Sequence, residues 1–446
     1  MRTVLVTGDK LVTMDQHGRI IDKGAVYIEG ENIVNVGRSD DLKRAHKPEL
    51  IIAEPNGVIM PGLINCHVHF SSSLIRGLVD DVTLEEWSEK FSPFAQYGSH
   101  EWNVLATRLV CLEMIKAGVT SYVDGSGRDK VEIGERYKSG LRGFLAFLII
   151  DEIGDYKSIL KLIQDNYSNR LQLMLGPWWV PEIPKEVLEE VNEISRRYGM
   201  KVRMHVAETK HEIEEINRKQ GCNGSIEYLE KLGLLGPNLI ATHCVHVSPN
   251  EIKLLQKHDV KVAHCPISNA KLGDGIAPLV DFIKTGITVG LGTDGVATNN
   301  CVDMFNEMKF ACLLQRAVHQ NPHPIGAETV LRMATIDAAK VLRADHQIGS
   351  LETGKKADII ILDFKKPHFY PKSNVISHIV YSAKSSDVNT VIVGGKIIMQ
   401  DRKVLTVDES KTLEEIQSFY SDILTSKTIP KAFKDYVKQK YPQNKS

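Results

Sequence analysis

The stretch Val58-Ile-Met-Pro61-Gly-Leu-Ile-Asn-Cys-His67-Val-His69-Phe70 ends an apolar run with a His-x-His pair. Side chains alternate faces along a β-strand, so His67 and His69 project together and their imidazoles can share one ion. The apolar residues suit a buried strand, and Pro61-Gly62 bends the chain as it enters a new structural unit. Taken alone, the pair is open between half a metal site and two unrelated histidines.

Downstream the chain alternates regularly. Apolar, β-rich runs at 59–70, 120–124, 144–150, 172–176, 201–206, 239–245, 261–267 and 287–293 are separated by segments of helical character. In 184–199, Val187, Val191 and Ile194 share a face and Gly199 stands where a C-terminal cap belongs. Ser248-Pro-Asn-Glu251 opens another helix as a capping box with proline in the first turn. Eight strand–helix units over roughly 240–280 residues predict an α/β fold, a (β/α)8 TIM barrel at 61–348. The flanks carry short alternating strands and glycine turns, as in Gly24-Ala-Val-Tyr-Ile-Glu-Gly30 and Val391-Ile-Val-Gly-Gly-Lys-Ile-Ile-Met399. They predict a small β-sandwich domain formed by both chain ends, 1–60 and 349–446. A terminal amphipathic helix from Thr412 and a Lys-rich, polar tail from Lys427 complete it.

The composition of the 446 residues, 42% hydrophobic and 25% charged, is that of a globular protein. With 55 Lys plus Arg against 56 Asp plus Glu, nothing recommends a nucleic acid or a membrane surface as partner. No stretch reaches the ~18–20 apolar residues of a membrane span, and the N-terminus reads as a strand rather than a signal peptide, so a cytoplasmic protein is expected. The seven cysteines are widely spaced with no Cys-x-x-Cys pair, which supports neither a disulfide framework nor a zinc ribbon. Cys66, Cys244 and Cys265 lie beside histidines near strand ends and are read as packing thiols.

Active barrels keep their chemistry at the carboxyl ends of the strands. The fifth strand ends Arg203-Met-His205-Val-Ala-Glu208, the sixth His243-Cys-Val-His246 and the eighth Gly290-Leu-Gly-Thr-Asp294. Three neutral imidazoles and a carboxylate, from His67, His69, His205 and Asp294, make a suitable shell for one divalent ion, Zn or alternatively Fe, with a position left for water. Asp294 is then placed to act as general base and Glu208 as general acid. Rival signatures are missing: His211-Glu212-Ile-Glu-Glu fails as His-Glu-x-x-His, and there is no Pro-Cys-x-x-Cys, Gly-x-Ser-x-Gly or phosphate-cradling loop. His246 and His264 are read as structural, Ser268-Asn269 and Asn299-Asn300 as loop holders, and Arg76, Arg128 and Arg142 as solvated residues able to reach an anionic substrate group.

Together with Arg76-Gly77, Asp80-Asp81, Glu86-Trp87, Ala263-His-Cys-Pro-Ile-Ser-Asn269 and Leu291-Gly-Thr-Asp294-Gly-Val-Ala-Thr-Asn-Asn300, these motifs resemble the amidohydrolase superfamily from residue 1 to about 405. Within it the chain is most similar to the branch of the triazine hydrolases and the S-adenosylhomocysteine/methylthioadenosine deaminases. The resemblance implies a mononuclear, metal-dependent deaminase of an N-heterocycle. It assigns His67, His69, His205 and Asp294 to the metal, Glu208 to protonating a ring nitrogen, and His243 to orienting a metal-bound hydroxide that attacks the amino-bearing carbon. It also implies a homo-oligomer, dimer or larger. Strand four offers no lysine for a second metal. Two departures concern the substrate: Gly176-Pro177-Trp178-Trp179 stands where adenosine-type members read Gly-Pro-His, and Ala95 or Gln96 stands where they carry a ribose-binding glutamate. Trp87, Trp178 and Trp179 are the candidate walls of a pocket that stacks a flat heterocycle. The expected substrate is a methylthioadenosine, S-adenosylhomocysteine or adenosine type. The alternatives are a triazine-type chlorohydrolase or another non-nucleoside heterocycle aminohydrolase, and, from a different class, a non-catalytic structural barrel.

Overall fold

The computed structural model describes residues 2–97, 99–125 and 130–425, together with 431, 434 and 435. Arg128, the tail from Lys427 and the side chains of Ala95 and Gln96 lie outside the described set. The first strands are β1 (Thr3–Val12), β2 (Ile20–Asp22), β3 (Gly24–Glu29), β4 (Asn32–Arg38) and β5 (Leu50–Pro61). Then come β6 (Leu63–His69), β7 (Val119–Asp124), β8 (Arg142–Ile149), β9 (Leu171–Pro177), β10 (Val202–Val206), β11 (Leu239–His243), β12 (Lys261–His264), β13 (Val289–Leu291) and β14 (Asp294–Gly295). The last are β15 (Ile359–Asp363), β16 (Val388–Val393), β17 (Lys396–Gln400) and β18 (Lys403–Val404).

Nine of these form a parallel sheet in the order β13-β12-β11-β10-β9-β8-β7-β6-β14. The path begins on β13 and ends on β14, two pieces of one run, so the sheet curls back on itself as a TIM-like barrel does. Its strands are buried along nearly their whole length, Gln172 of β9 being exposed, with helices between them, which is why they read as near-continuous apolar runs in the sequence. The helix Lys185–Tyr198 buries Leu188, Val191 and Ile194 and ends at Gly199; Val187, expected on that face, packs only at its edge. Pro249–Lys257 carries the reciprocal Ser248–Glu251 capping box.

Strand ends differ from expectation in a consistent way. The run at 59–70 is two strands: β5 finishes in the other sheet at Pro61, and β6 starts at Leu63. The crossing point is Gly62, where a Cβ would lie 2.1 Å from the Thr120 side chain. The sixth and seventh strands stop at His243 and His264, because His243 and Cys244 turn left-handed (φ 76° and 50°) and Pro266 opens a helix.

The chain ends meet in one nine-stranded sheet, β18-β17-β16-β15-β5-β1-β3-β4 with β2 on β1. Its pairings form one continuous ladder path rather than two separate sheets. Arg142 of β8 joins it to the parallel sheet through Asp358, with Nε and Nη2 at 2.9 and 3.1 Å from the two carboxylate oxygens. Arg76 is likewise committed, to Glu113 and the carbonyl of Asn300. Neither arginine is therefore the solvated, substrate-seeking group expected of it. Among the described residues no helix is long and apolar enough to cross a membrane.

Candidate metal and catalytic site

His67, His69, His205 and Asp294 converge at one end of the parallel sheet, their ligand atoms all within 4.8 Å of one another and all four residues buried. His67 and His69 come from alternate positions of β6, His205 from β10 and Asp294 from the start of β14. Asp294 Oδ1 lies 3.0 Å from His67 Nε2 and 3.5 Å from His69 Nε2. His205 Nδ1 lies 2.5 Å from the carbonyl oxygen of Trp178, which makes Nδ1 the donor and leaves Nε2 as a lone pair 3.1 Å from His69 Nε2. Burial pushes the proton affinities of all three imidazoles down, aided by the Arg203 guanidinium. Burial acts against the Asp294 charge, yet the hydrogen bond from His67 and the surrounding imidazoles outweigh it and hold the carboxyl well below its usual range. Neutral nitrogens around an ionised carboxylate, with His67 Nδ1 buried and lacking a hydrogen-bond partner, are a donor set that fits a divalent cation.

A second buried group, Glu208, His243 and Asp294, shares the carboxylate with the first. Burial, followed by the charges of Asp274 and Asp294, raises the Glu208 carboxyl well above its usual range, which favours its protonated form. His243 is pushed down to about 3 by burial, and its Nε2 has no hydrogen-bond partner among the described residues, the Glu208 carboxyl being 3.4 Å away. Its other nitrogen lies 3.0 Å from Asn269 Nδ2. The site thus gathers one carboxyl whose proton affinity is raised, one whose proton affinity is lowered, and an imidazole whose proton affinity is lowered.

Short polar residues hold these groups, and here sequence reasoning fell short. Asp294 Oδ2 accepts from Ser268 Oγ (2.6 Å) and Thr298 Oγ1 (2.8 Å). Ser268 and Asn269 therefore grip site side chains rather than loop backbone. Asn65, not singled out, accepts from the backbone of Thr293 (3.1 Å) and His67 (3.3 Å) and donates to Thr293 Oγ1 (2.8 Å). It does so where Gly292 packs so tightly on β6 that a Cβ would sit 2.9 Å from the His67 nitrogen. Asn299 does hold backbone, bonding the carbonyl of Thr293 (2.7 Å), and also meets the buried Glu307 (2.6 Å). His246 bonds the carbonyl of Asp274 and His264 is buried in the sheet, each outside both clusters. Cys66, Cys244 and Cys265 are buried and their thiols are pushed up by burial, so they stay protonated.

Above the clusters opens a cavity of about 520 Å3 lined by His69, His205, Glu208 and Asp294 and walled by Trp87, Trp178 and Trp179. Its rim carries Glu85, Glu89 and Glu182. Trp178 packs on both His69 and His205, with ring centroids 5.2 and 4.8 Å apart.

Residues 58–398 match the family model described as the amidohydrolase family. The chain belongs to the amidohydrolase family. The match takes in the whole site, from His67 to Glu307, and the strands β15 and β16 of the end-built sheet. Among amidohydrolase relatives, the 5′-deoxyadenosine deaminase of Methanosarcina mazei is 38% identical over 435 residues, covering 95% of this chain and 99% of its own. The 5-methylthioadenosine/S-adenosylhomocysteine deaminase of Pelotomaculum thermopropionicum is 36% identical, covering 94% and 98%. Of solved structures, a zinc-bound adenosine deaminase from Xanthomonas campestris superposes with a TM-score of 0.91 at 27% identity, covering 95% of this chain and 99% of its own.

Proposed function

We propose that the protein is a mononuclear, metal-dependent deaminase that replaces the exocyclic amino group of an adenine nucleoside with oxygen and releases ammonia. The observation that carries this is the placement of two buried carboxyls, Glu208 and Asp294, with proton affinities shifted in opposite directions, in the lining of one aromatic-walled cavity. Two carboxyls with oppositely shifted proton affinities are what acid and base roles at a single carbon require. His67, His69, His205 and Asp294 would hold one divalent ion, zinc in our reading. When bound, such an ion lowers the proton affinity of a water and polarises the site.

The chain's own residues do the rest. Trp87, Trp178 and Trp179 stack the flat ring and exclude solvent from it. His243, held by Asn269, directs its free Nε2 at the attacking water, and Asp294 takes that water's proton. Attack at an sp2 carbon drives an electron pair onto the ring nitrogen, which Glu208 neutralises by protonation. Asp294 returns its proton to the departing amine, and as the new carbonyl forms the hydroxyl proton passes back to the ionised Glu208, so both carboxyls regain their starting states.

The relatives are deaminases of 5′-modified adenosines, which supports 5′-deoxyadenosine, methylthioadenosine or S-adenosylhomocysteine as the substrate. A non-nucleoside aminoheterocycle is the second reading, favoured by Trp178 at the position of a purine-touching histidine. Ammonia release from metal-loaded protein, screened across these nucleosides, free purines and pyrimidines, pterins and aminotriazines, tests both. Turnover confined to aminotriazines, or to chlorotriazines followed in parallel by chloride release, would overturn the nucleoside reading, and no turnover with any metal would return the structural barrel.

The proposal extends to architecture and setting. The parallel sheet is read as a closed (β/α)8 barrel domain at 61–348. The end-built sheet is read as a sandwich domain at 1–60 and 349–446, supported by the single apolar cluster that Val6, Val26, Ile52, Ile361 and Ile392 form from five strands. A homo-oligomer is expected by light scattering. Seven unpaired cysteines support a reducing, cytoplasmic setting.

A further inference from the structure

Glu212 is fully buried in the first turn of the helix Lys210–Gln220, and its carboxylate accepts four hydrogen bonds, with the Glu208 carboxyl and the Cys244 thiol close enough to feel its charge. Oε1 accepts from the backbone nitrogen of Ala207 (2.6 Å) and from Ser225 Oγ (2.5 Å). Oε2 accepts from the backbone nitrogen of Glu208 (3.0 Å) and from the indole nitrogen of Trp179 (3.3 Å). One carboxylate therefore touches the peptide that carries the acid and the ring that walls the cavity.

The peptide it holds is strained. Ala207 is left-handed, φ 53°, a conformation that costs a non-glycine residue energy and persists only where the surroundings impose it. The carbonyl side of Ala207 is fixed by the nitrogens of Val245 and His246, at 2.9 and 2.8 Å. Its nitrogen side is fixed by Glu212. This kink directs Glu208 towards the cavity instead of along β10.

We propose that Glu212 is a positioning residue that seats the Trp179 wall and the Glu208 turn together, so that stacking the substrate ring and delivering a proton to it depend on one buried carboxylate. The proposal rests on the reading of Glu208 as the acid and Trp179 as a wall. A glutamine at 212 keeps the shape but turns an NH2 towards groups that are themselves donors, so the cradle cannot stay intact. Trp179→Phe keeps an aromatic ring in the wall, smaller than the indole, and removes the indole donor.

The test is a double-mutant cycle in the full-length, metal-loaded protein, read as kcat and KM for 5′-deoxyadenosine and methylthioadenosine. Glu212→Gln is expected to lower kcat/KM by about tenfold to a hundredfold, with kcat and KM both affected. Trp179→Phe alone is expected to raise KM by about threefold with kcat within about twofold, and to add less than about twofold in the Glu212→Gln background. Independent, multiplying effects, or a folded Glu212→Gln with wild-type kcat and KM, overturn the coupling. Should Glu212→Gln not fold, Ser225→Ala answers the same question, because it alters no atom of the cavity yet loosens the carboxylate. A rise in KM together with a fall in kcat supports the proposal, and wild-type constants overturn it. Wild-type protein that releases no ammonia counts against the deaminase reading instead. The coupling is then read from the emission maximum contributed by Trp179, taken as the difference from Trp179→Phe, which Glu212→Gln must shift; an unshifted contribution overturns it.

Discussion

Asp294 is left-handed at φ 61°, a conformation worth of order 1–3 kcal/mol of strain, and its neighbours hold it there. Ser268 and Thr298 both bond Oδ2, so removing either leaves one donor and a freer carboxylate. Ser268→Ala and Thr298→Val are each expected to lower kcat about tenfold, with a stability loss of only about 1 kcal/mol. Steady-state ammonia release set beside thermal melting checks this; a double variant at the wild-type rate would remove Asp294 from the proton relay. The metal-binding histidines and Glu208 were legible in the sequence because each ends an apolar run and belongs to a residue type that is costly to bury without purpose. Ser268, Thr298 and Asn65 were not, since serine, threonine and asparagine are common in any loop and their role exists only as a distance across strands. Glu307 shows the same blindness. Burial pushes it up to about 8, although Asn299 and the nitrogen of Ile267 bond it. A carboxyl whose folded proton affinity exceeds the unfolded one binds more protons when folded, so its contribution is full below about pH 4.5 and is lost as pH rises towards 8. Melting temperature should therefore fall across that window more steeply in the wild type than in Glu307→Gln. Parallel profiles would show that Glu307 is not the group that titrates.

At the scale of elements, the β-period found the eight apolar runs that carry the parallel sheet, while the strand ends escaped it. Val245 and Ile267 prolong an apolar pattern beyond strands that a left-handed His243 and a helix-opening Pro266 have already ended. The eighth strand breaks at Gly292-Thr293, between β13 and β14, where backbone pairing gives way to the side chain of Asn65. That amide substitutes for ladder bonds between β6 and the run carrying Asp294, so it sets the spacing of His67 and Asp294. Asn65→Ala leaves buried backbone donors unpaired and is expected to lower stability by about 2–4 kcal/mol. It should also weaken zinc retention against a chelator, whereas Ser248→Ala, which opens only the remote capping box, should cost about 1 kcal/mol and leave zinc retention unchanged. Equal zinc retention in both variants would reduce Asn65 to a packing residue.

Across the whole molecule, the curled parallel sheet carries the chemistry and the end-built sheet braces it through the buried Arg142–Asp358 pair. The core is a large apolar cluster spanning the parallel strands, their helices and residues of the end-built sheet such as Met60, Ile360 and Val391, and it does not include the four clustered His and Asp residues. Folding should therefore survive metal removal. The ligand cluster nonetheless gathers three buried imidazoles and a carboxylate, with the Nε2 atoms of His69 and His205 facing each other at 3.1 Å, an arrangement that a cation relieves. An ion that binds only the folded state stabilises it by RT ln(1 + [L]/Kd), about 4 kcal/mol at a thousandfold excess over Kd. Chelation is expected to leave the far-ultraviolet circular dichroism unchanged, abolish ammonia release and lower the melting temperature by several degrees, with stoichiometric zinc restoring both. His69→Ala separates this from a nonspecific effect of the chelator, because a chain lacking one ligand should melt near the chelated wild type and gain little from added zinc. If the variant instead responded to zinc as fully as the wild type, the stabilising ion would have to bind elsewhere, and the cluster at the end of the curled sheet would lose its claim to be the metal centre.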